Sequence, residues 1–225
     1  MKTSAIVSAY YAEEYIEGRI KNLLQHDCEI VVVCQDGSTE EKITRDAKVH
    51  VITTPDIPTV YAAWNLGIKA ASGDYVTSAN SDDRHYPGSI KILEGVLDNN
   101  PDVAVAYFDV DRFDNLDEKP TGHFKWREGG FSELYWKGCF VGPMPLWRKS
   151  LHDKYGYFDE SYTVAGDYEF WMRITSNGEK LYHVRNTPLG AHLEHDSGLE
   201  HRSPVRTTWE TSKAKSLYRK VAEHD

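Results

Sequence analysis

Short β-branched runs alternate with helix-period segments through the first hundred residues, and no other feature restricts the fold as much. "SAIVSAY" (4–10) predicts a strand, and Ile16, Ile20, Leu23 and Leu24 then fall on one helical face. "EIVVVCQD" (29–36) is apolar enough for a strand covered on both sides, the habit of parallel sheets. "STEEKITRDAKV" follows as a helix opened by a Ser-x-x-Glu cap at Ser38 and Glu41, and "HVITTP" as a short strand. A third helix, over about 59–71, leads into "DYVTSAN", where Tyr75 to Ala79 read as a buried strand. The sum is an α/β chain, a βαβαβαβ order that winds one Rossmann-like sheet with helices on both faces. Ligands of such sheets bind beyond the carboxyl ends of the strands, and three of these ends carry acids or amides: Asp36, Asp56 and the cluster Asn80–Asp83.

The second half is less regular. "VAVAYFDVDRF" (103–113) alternates as a strand, 114–135 is polar and reads as a long loop or hairpin, and "CFVGPMPLWRKSL" returns to apolar density. A helix is expected around Tyr168–Asn177, and another from Ser203–Pro204 as cap and first turn through Ala222. No repeat, low-complexity segment or linker interrupts the 225 residues, enough for one sizeable core, so one domain over 1–225 is expected. The net charge of −9 repels nucleic-acid backbones and anionic lipid, which disfavours both as general partners. Cys28 and Cys34 flank one strand, so their Cα atoms would lie roughly 20 Å apart, beyond bridging. Reduced thiols and a cytoplasmic setting follow as the simplest expectation. The apolar run at the start is too short for a signal peptide, and no stretch approaches a membrane span.

Adjacent carboxylates repel each other, so "NSDDR" straight after a strand asks for a reason. Two acids at a strand's end suit a hard divalent cation shared with a substrate's phosphates. A solvated turn is the plain alternative, because Asn, Ser and Asp are turn formers.

The wider context resembles one family. "WNLGIKAASGDYVTSANSDDR" is similar to the segment around the D-x-D motif of family 2 glycosyltransferases of the GT-A fold. "TSAIVSAYYAEEYIEGRIKNLL" looks like their first strand and helix, and "EIVVVCQDGSTEE" like their second strand and Asp-Gly-Ser turn. "YGYFDESYTVAGDYEFWMRI" (155–174) resembles their Gly-Phe-Asp-Glu and Glu-Asp-x-x-x-Trp segments, in the family's order. The resemblance implies an inverting transfer from a nucleotide-diphosphate sugar, UDP-linked on family grounds, to a glycan or glycoconjugate acceptor. It implies a GT-A type mixed sheet, with residues 1–100 as the donor half, 101–202 as the acceptor and catalytic half, and 203–225 as a closing helix. Asp36 would contact the base, with Ser8, Ala9 and Tyr10 lining the same pocket and Asn80 and Ser81 on the donor. Asp82 would bind Mn²⁺ or Mg²⁺, supported by Asp83. Asn80 departs from the pattern, offering an oxygen but no charge where the first acid is expected.

Asp167 opens an amphipathic helix and would be an ordinary first-turn acid by position alone. The resemblance puts it at the catalytic base, while Gly166 stands where a Glu is often found. Glu169 is expected to face solvent or the acceptor. "GAHLEHDSGLEHR" concentrates His192, His195 and His201 in no zinc spacing. The resemblance places one His near the diphosphate or metal; His195, followed by Asp196 and Ser197, fits best, with His192 as the alternative. Trp147 is either a sugar-stacking or a core ring, and Trp126, Trp136 and the 114–135 loop would form a lid or acceptor wall. The basic tail is expected to dock as a helix, with peripheral membrane contact as the other reading. A homodimer is compatible with the sequence.

Other classes fit less well. The first turn, "SAYYAEE", lacks the Gly-x-Gly-x-x-Gly of a nicotinamide-dependent oxidoreductase. A sugar nucleotidyltransferase would want a Gly-rich loop with a basic residue there. A glycoside hydrolase needs two carboxylates but no diphosphate pocket. A non-catalytic nucleotide- or sugar-binding module remains as the alternative, on the lost acid at Asn80.

Overall fold

The computed structural model describes residues 1–195, 198 and 203–224. The first four strands, β1 (Thr3–Ala9), β2 (Glu29–Gln35), β3 (His50–Thr54) and β4 (Tyr75–Ser78), run parallel in the spatial order β4-β1-β2-β3. Their connections are α1 (Ile16–Leu23), α2 (Thr39–Arg45) and α3 (Val60–Ala70). The expected continuous apolar runs match strands covered on both faces, since nearly every residue of β1, β2 and β4 is buried. The β3 strand, at the sheet's edge, is only half-buried.

On the far side of β4 the sheet continues as β9 (Leu146–Arg148), β6 (Val103–Phe108) and β10 (Lys180–Val184). The short β9 is antiparallel to both β4 and β6, so the seven-stranded sheet is mixed. The remaining helices among the described residues are α4 (Ser89–Asn99), α5 (Phe131–Lys137), α6 (Leu151–Tyr155), α7 (Gly166–Thr175) and α8 (Pro204–Ala222).

Local signals set several boundaries. Ser38 caps α2 by accepting the Glu41 N–H at 3.1 Å, but the Glu41 carboxylate turns to the Gly37 N–H at 2.6 Å rather than to Ser38. Thr59 caps α3 in the same way, accepting from the Ala62 N–H. Pro204 occupies the first turn of α8, where its missing N–H costs nothing.

Three expectations change. Leu24, placed on one helical face with Ile16, Ile20 and Leu23, is instead the residue that ends α1 and is half-exposed. The run 103–113 is two strands, not one. It breaks at Asp109, whose buried carboxylate accepts from the Trp126 N–H at 2.9 Å and pairs with His183 at 2.7 Å. Beyond it β7 (Val110–Phe113) joins a second sheet, ordered β5 (Arg84–His85), β11 (Gly190–Leu193), β7 and β8 (Gly122–Phe124). The segment 114–135, expected as a long loop or hairpin, does carry the turn and second strand of a β7–β8 hairpin, but its end is the start of α5, whose Phe131, Leu134 and Tyr135 are buried. Seven residues after two glycines gave too little periodicity to reveal that helix.

Candidate functional site

Parallel strands bring their carboxyl ends to one edge, and that edge gathers the residues singled out above. Ser8 and Ala9 finish β1, with Ala9 buried, and Tyr10 follows, 40% exposed, its ring 4.2 Å from that of Tyr11. Tyr11 takes a left-handed backbone (φ 53°) that turns the chain out of the strand. Asp36 follows β2, with its N–H donating to the Thr54 carbonyl of β3. Asn80–Asp83 follow β4, immediately beside β1.

The acid cluster is built as two histidine–carboxylate pairs. His195 Nε2 lies 3.0 Å from Asp82 Oδ2, and His192 Nδ1 lies 2.8 Å from Asp83 Oδ1. The second oxygen of Asp83 accepts from Asn80 Nδ2 at 3.2 Å, and Asp83 is buried. Arg84 closes the turn, donating to the carbonyls of Ser81 and Asp83, both at 2.8 Å. Both histidines left open by the sequence thus meet the cluster, one on each acid. Asp196, Ser197 and His201 lie outside the described residues.

Burial and then the neighbouring Asp83 charge raise the Asp82 carboxyl above its ordinary value, against the pull of His195. Beneath the cluster, Arg19 is fully buried with Nη2 3.0 Å from His85 Nδ1. Burial pushes its guanidinium down to about 9, against the attraction of Asp83 and Asp82, so it stays a cation at neutral pH. The sequence signal for Arg19 was nil, because an arginine in mid-helix between Glu17 and Lys21 reads as part of a solvated face.

No three His, Cys, Asp or Glu side chains converge as a complete cation cage among the described residues. A cage is not what a diphosphate-bridging ion requires. Mg²⁺-type ions use one or two carboxylates, with waters and substrate phosphates completing the shell. Asp82 and His195, partly exposed and side by side, could offer such an ion a carboxylate oxygen and an imidazole nitrogen. Asp83, engaged at both oxygens, fits the role of support.

Asp167 is the second residue of α7. The Tyr61 hydroxyl, at the start of α3, lies 3.1 Å from Asp167 Oδ1 and 2.7 Å from the Val164 carbonyl. Since α3 starts just after β3, Tyr61 ties Asp167 to the same strand-end edge. Burial and then the Asp167 charge raise the Tyr61 phenol well above its ordinary value, so it remains a donor. A Cβ at Gly166 would meet Tyr61 Cδ2 and Cε2 at 2.8 Å, so the ring occupies the space a glutamate side chain would take. Nothing in the sequence marked Tyr61; it reads as one more core aromatic.

The loop before α7 is held from the tail helix. Glu210 of α8 is fully buried and accepts from the N–H groups of Thr163, Val164 and Ala165 at 2.7–3.0 Å. Burial raises its carboxyl, but those N–H bonds and Arg206 outweigh it and hold it below the usual range.

Two readings of this region are settled differently or more narrowly by the fold. Glu169 does not face solvent or acceptor. It is buried, ion-paired with Arg173, and accepts from the Tyr218 hydroxyl of α8 at 2.6 Å. Trp147 is the core ring of its two alternatives: it is buried and its Nε1–H donates to His152 Nε2 at 2.9 Å. Trp126 stacks on Phe124, and Trp136 is exposed on α5.

Comparison with known proteins agrees with this architecture. Residues 1–349 of S. aureus TarS superpose with a TM-score of 0.72 over 96% of this chain and 65% of that one, at 20% identity. TarS has also been solved with UDP and with UDP-GlcNAc. A Pyrobaculum calidifontis mannosyltransferase, PcManGT, solved with GDP-Man and Mn²⁺, gives a TM-score of 0.66 at 14% identity, covering 92% of this chain and 60% of that one. An uncharacterized glycosyltransferase of Haemophilus influenzae is 24% identical over 204 residues, 78% of this chain and 60% of its own length. The chain therefore spans less than two thirds of that relative. The fold is the expected GT-A type. The profile of Glycosyl transferase family 2 matches residues 4–156, and with most of its length so matched the chain belongs to that family.

Proposed function

We propose that the chain transfers a sugar from a nucleotide-diphosphate sugar, UDP-linked, to an acceptor hydroxyl with inversion, with Asp167 as general base. The observation that carries the reading is the Asp167 carboxylate, held by the buried Tyr61 hydroxyl beside the edge that bears the acid cluster. Asp36, Ser8, Ala9 and Tyr10 would receive the nucleoside, the exposed Tyr10 ring offering its face to the base. Asn80 and Ser81 would meet the sugar or ribose side of the donor. Residues 1–100 would then serve the donor, 101–202 the acceptor and the chemistry, with 203–225 closing the catalytic helix.

The reaction balances without a covalent enzyme intermediate. Asp167 accepts the proton as the acceptor O–H bond breaks, the acceptor oxygen bonds to the anomeric carbon, and the bond from that carbon to the phosphate oxygen breaks. Attack from the face opposite the diphosphate inverts the anomeric centre. Asp82 and His195 are the residues that would hold Mn²⁺ or Mg²⁺, with Asp83 behind them. When bound, the ion supplies positive charge to the departing diphosphate. Beneath, Arg19 adds a fixed positive charge to the same region.

Asp167→Asn tests the assignment. UDP binding by calorimetry should stay within about twofold of the parent, while turnover of UDP-GlcNAc or GDP-mannose falls by about 10²–10⁴-fold. Near-parental turnover would remove the base from Asp167. The neutral Asn80 favours one second reading, a binding module without catalysis; that module would leave every donor intact in Mn²⁺, whereas the transferase hydrolyses its donor slowly to the nucleoside diphosphate.

A further inference from the structure

We infer that Glu210 of α8 is a positioning residue for Asp167, acting as a remote clamp on the turn that leads into the helix that carries it. The inference rests on the reading of Asp167 as base.

Helix N-termini leave N–H groups without intrahelical partners, and a Ser, Thr, Asp or Asn side chain at the N-cap usually meets them. The N-cap of α7 is Ala165, which makes no side-chain bond. Glu210, from another helix, grips instead the three N–H groups that lead into α7. Its Oε2 accepts from Val164 at 2.7 Å and Ala165 at 2.9 Å, and the Thr163 N–H lies 2.9 and 3.0 Å from its two oxygens. Three consecutive N–H groups aimed at one anion form an anion-binding concavity, and its negative charge also opposes the positive end of the helix dipole. Arg206 Nε donates to Oε1 at 2.9 Å, fixing the carboxylate from the solvent side.

The grip reaches the base through few atoms. The Val164 peptide is held at its N–H by Glu210 and at its carbonyl by Tyr61, and the same Tyr61 hydroxyl contacts Asp167 Oδ1. A shift of the 163–165 backbone therefore moves both the start of α7 and the phenol that orients the carboxylate. Docking of α8 does not depend on Glu210 alone. Glu169, Arg173 and Tyr218 form a second buried joint between α7 and α8, and Ala214 is buried in the core. Loss of Glu210 thus loosens the turn before Asp167 while leaving the two helices packed.

The full chain is compared as parent, Glu210→Ala, Glu210→Gln, Asp167→Asn and the double variant Asp167→Asn/Glu210→Ala. Donor hydrolysis is measured on UDP-GlcNAc and GDP-mannose with Mn²⁺, UDP binding by calorimetry, and amide exchange over residues 160–170 by mass spectrometry. Glu210→Ala should lose amide protection at 163–165, bind UDP as the parent does, and lower kcat by about 10–100-fold with KM within about twofold, the scale expected for a reacting group displaced by about 1 Å. Glu210→Gln, which keeps one acceptor oxygen, should fall between parent and Ala. In the Asp167→Asn background, Glu210→Ala should change the residual rate by no more than about twofold, because the two act through one group.

Parental kcat or undiminished protection in Glu210→Ala overturns the inference, as does an equal fold-loss in the presence and absence of Asp167. Should the Ala variant not fold, a parental rate and protection in Glu210→Gln overturns it instead. An inactive Asp167→Asn with a fully active Glu210→Ala defeats this inference alone. A fully active Asp167→Asn defeats the base assignment and, with it, the positioning role.

Discussion

Replacing Gly166 by Ala should destabilise the protein, although the same change at the start of an ordinary helix would stabilise it. Gly166 has no left-handed backbone requirement, so Ala can adopt its conformation. Fewer unfolded conformations would by themselves add about 0.4–1 kcal/mol of stability. Against this, the new Cβ would lie 2.8 Å from two carbons of the Tyr61 ring and 3.0 Å from a third. That ring cannot swing aside. It is buried, packs against Trp64 and Phe158 at centroid distances of 5.4 and 5.8 Å, and is anchored by its hydroxyl at Val164 and Asp167. Forcing one extra carbon into such packing costs about 1–3 kcal/mol. The net loss is then about 0.5–2 kcal/mol, a fall in Tm of about 1–8 °C for a chain of this size. Turnover should fall further than stability, since a displaced phenol no longer orients Asp167. Urea denaturation of Gly166→Ala, alone and with Tyr61→Leu, checks the cause: with the ring removed, the Ala should be neutral or stabilising. A Gly166→Ala protein as stable as the parent, or one equally destabilised in the Tyr61→Leu background, would refute the steric account.

Glu169→Ala should cost about 3 kcal/mol in urea denaturation, because it leaves the Arg173 guanidinium without its ion partner in a largely buried site and the Tyr218 hydroxyl without its acceptor. His152 gives a pH effect of defined sign. Burial pushes its imidazole down to about 4, and Trp147, a pure donor, requires the unprotonated Nε2. The unfolded chain therefore binds the proton first, so stability should fall by about 3 kcal/mol as the pH drops from about 7 to about 4. His152→Gln, which does not titrate, should lose about that much less stability over the same pH range, and parallel curves would contradict the assignment. Asp82→Ala should abolish the response of donor turnover to added Mn²⁺ or Mg²⁺; an unmodified protein equally active in chelator would refute the ion's part.

The parallel half was legible because its signals are local. "EIVVVCQD" can be buried on both faces only between helices, and Ser38 and Pro204 announce helix starts through their own backbone chemistry. The acids at strand ends were legible for the same reason: topology alone sends Asp36 and Asn80–Asp83 to one edge. The break at Asp109 was not, since "VAVAYFDVDRF" keeps its alternation through the point where His183 and Trp126, distant in sequence, pull the carboxylate inward. Glu169 looked like a solvent-facing acid because nothing near it in sequence reveals Tyr218. Sequence by itself determined the βαβαβαβ order of the first half and the strand ends that bear acids, since these follow from periodicity and caps within a few residues, and its motifs carried the resemblance to the family. Only the tertiary structure decided which histidine meets which aspartate, what fills the space beside Gly166, and that a glutamate on the last helix clamps the turn before Asp167. Those facts depend on which distant side chains fill the space around a buried charge, and a linear pattern does not encode that space.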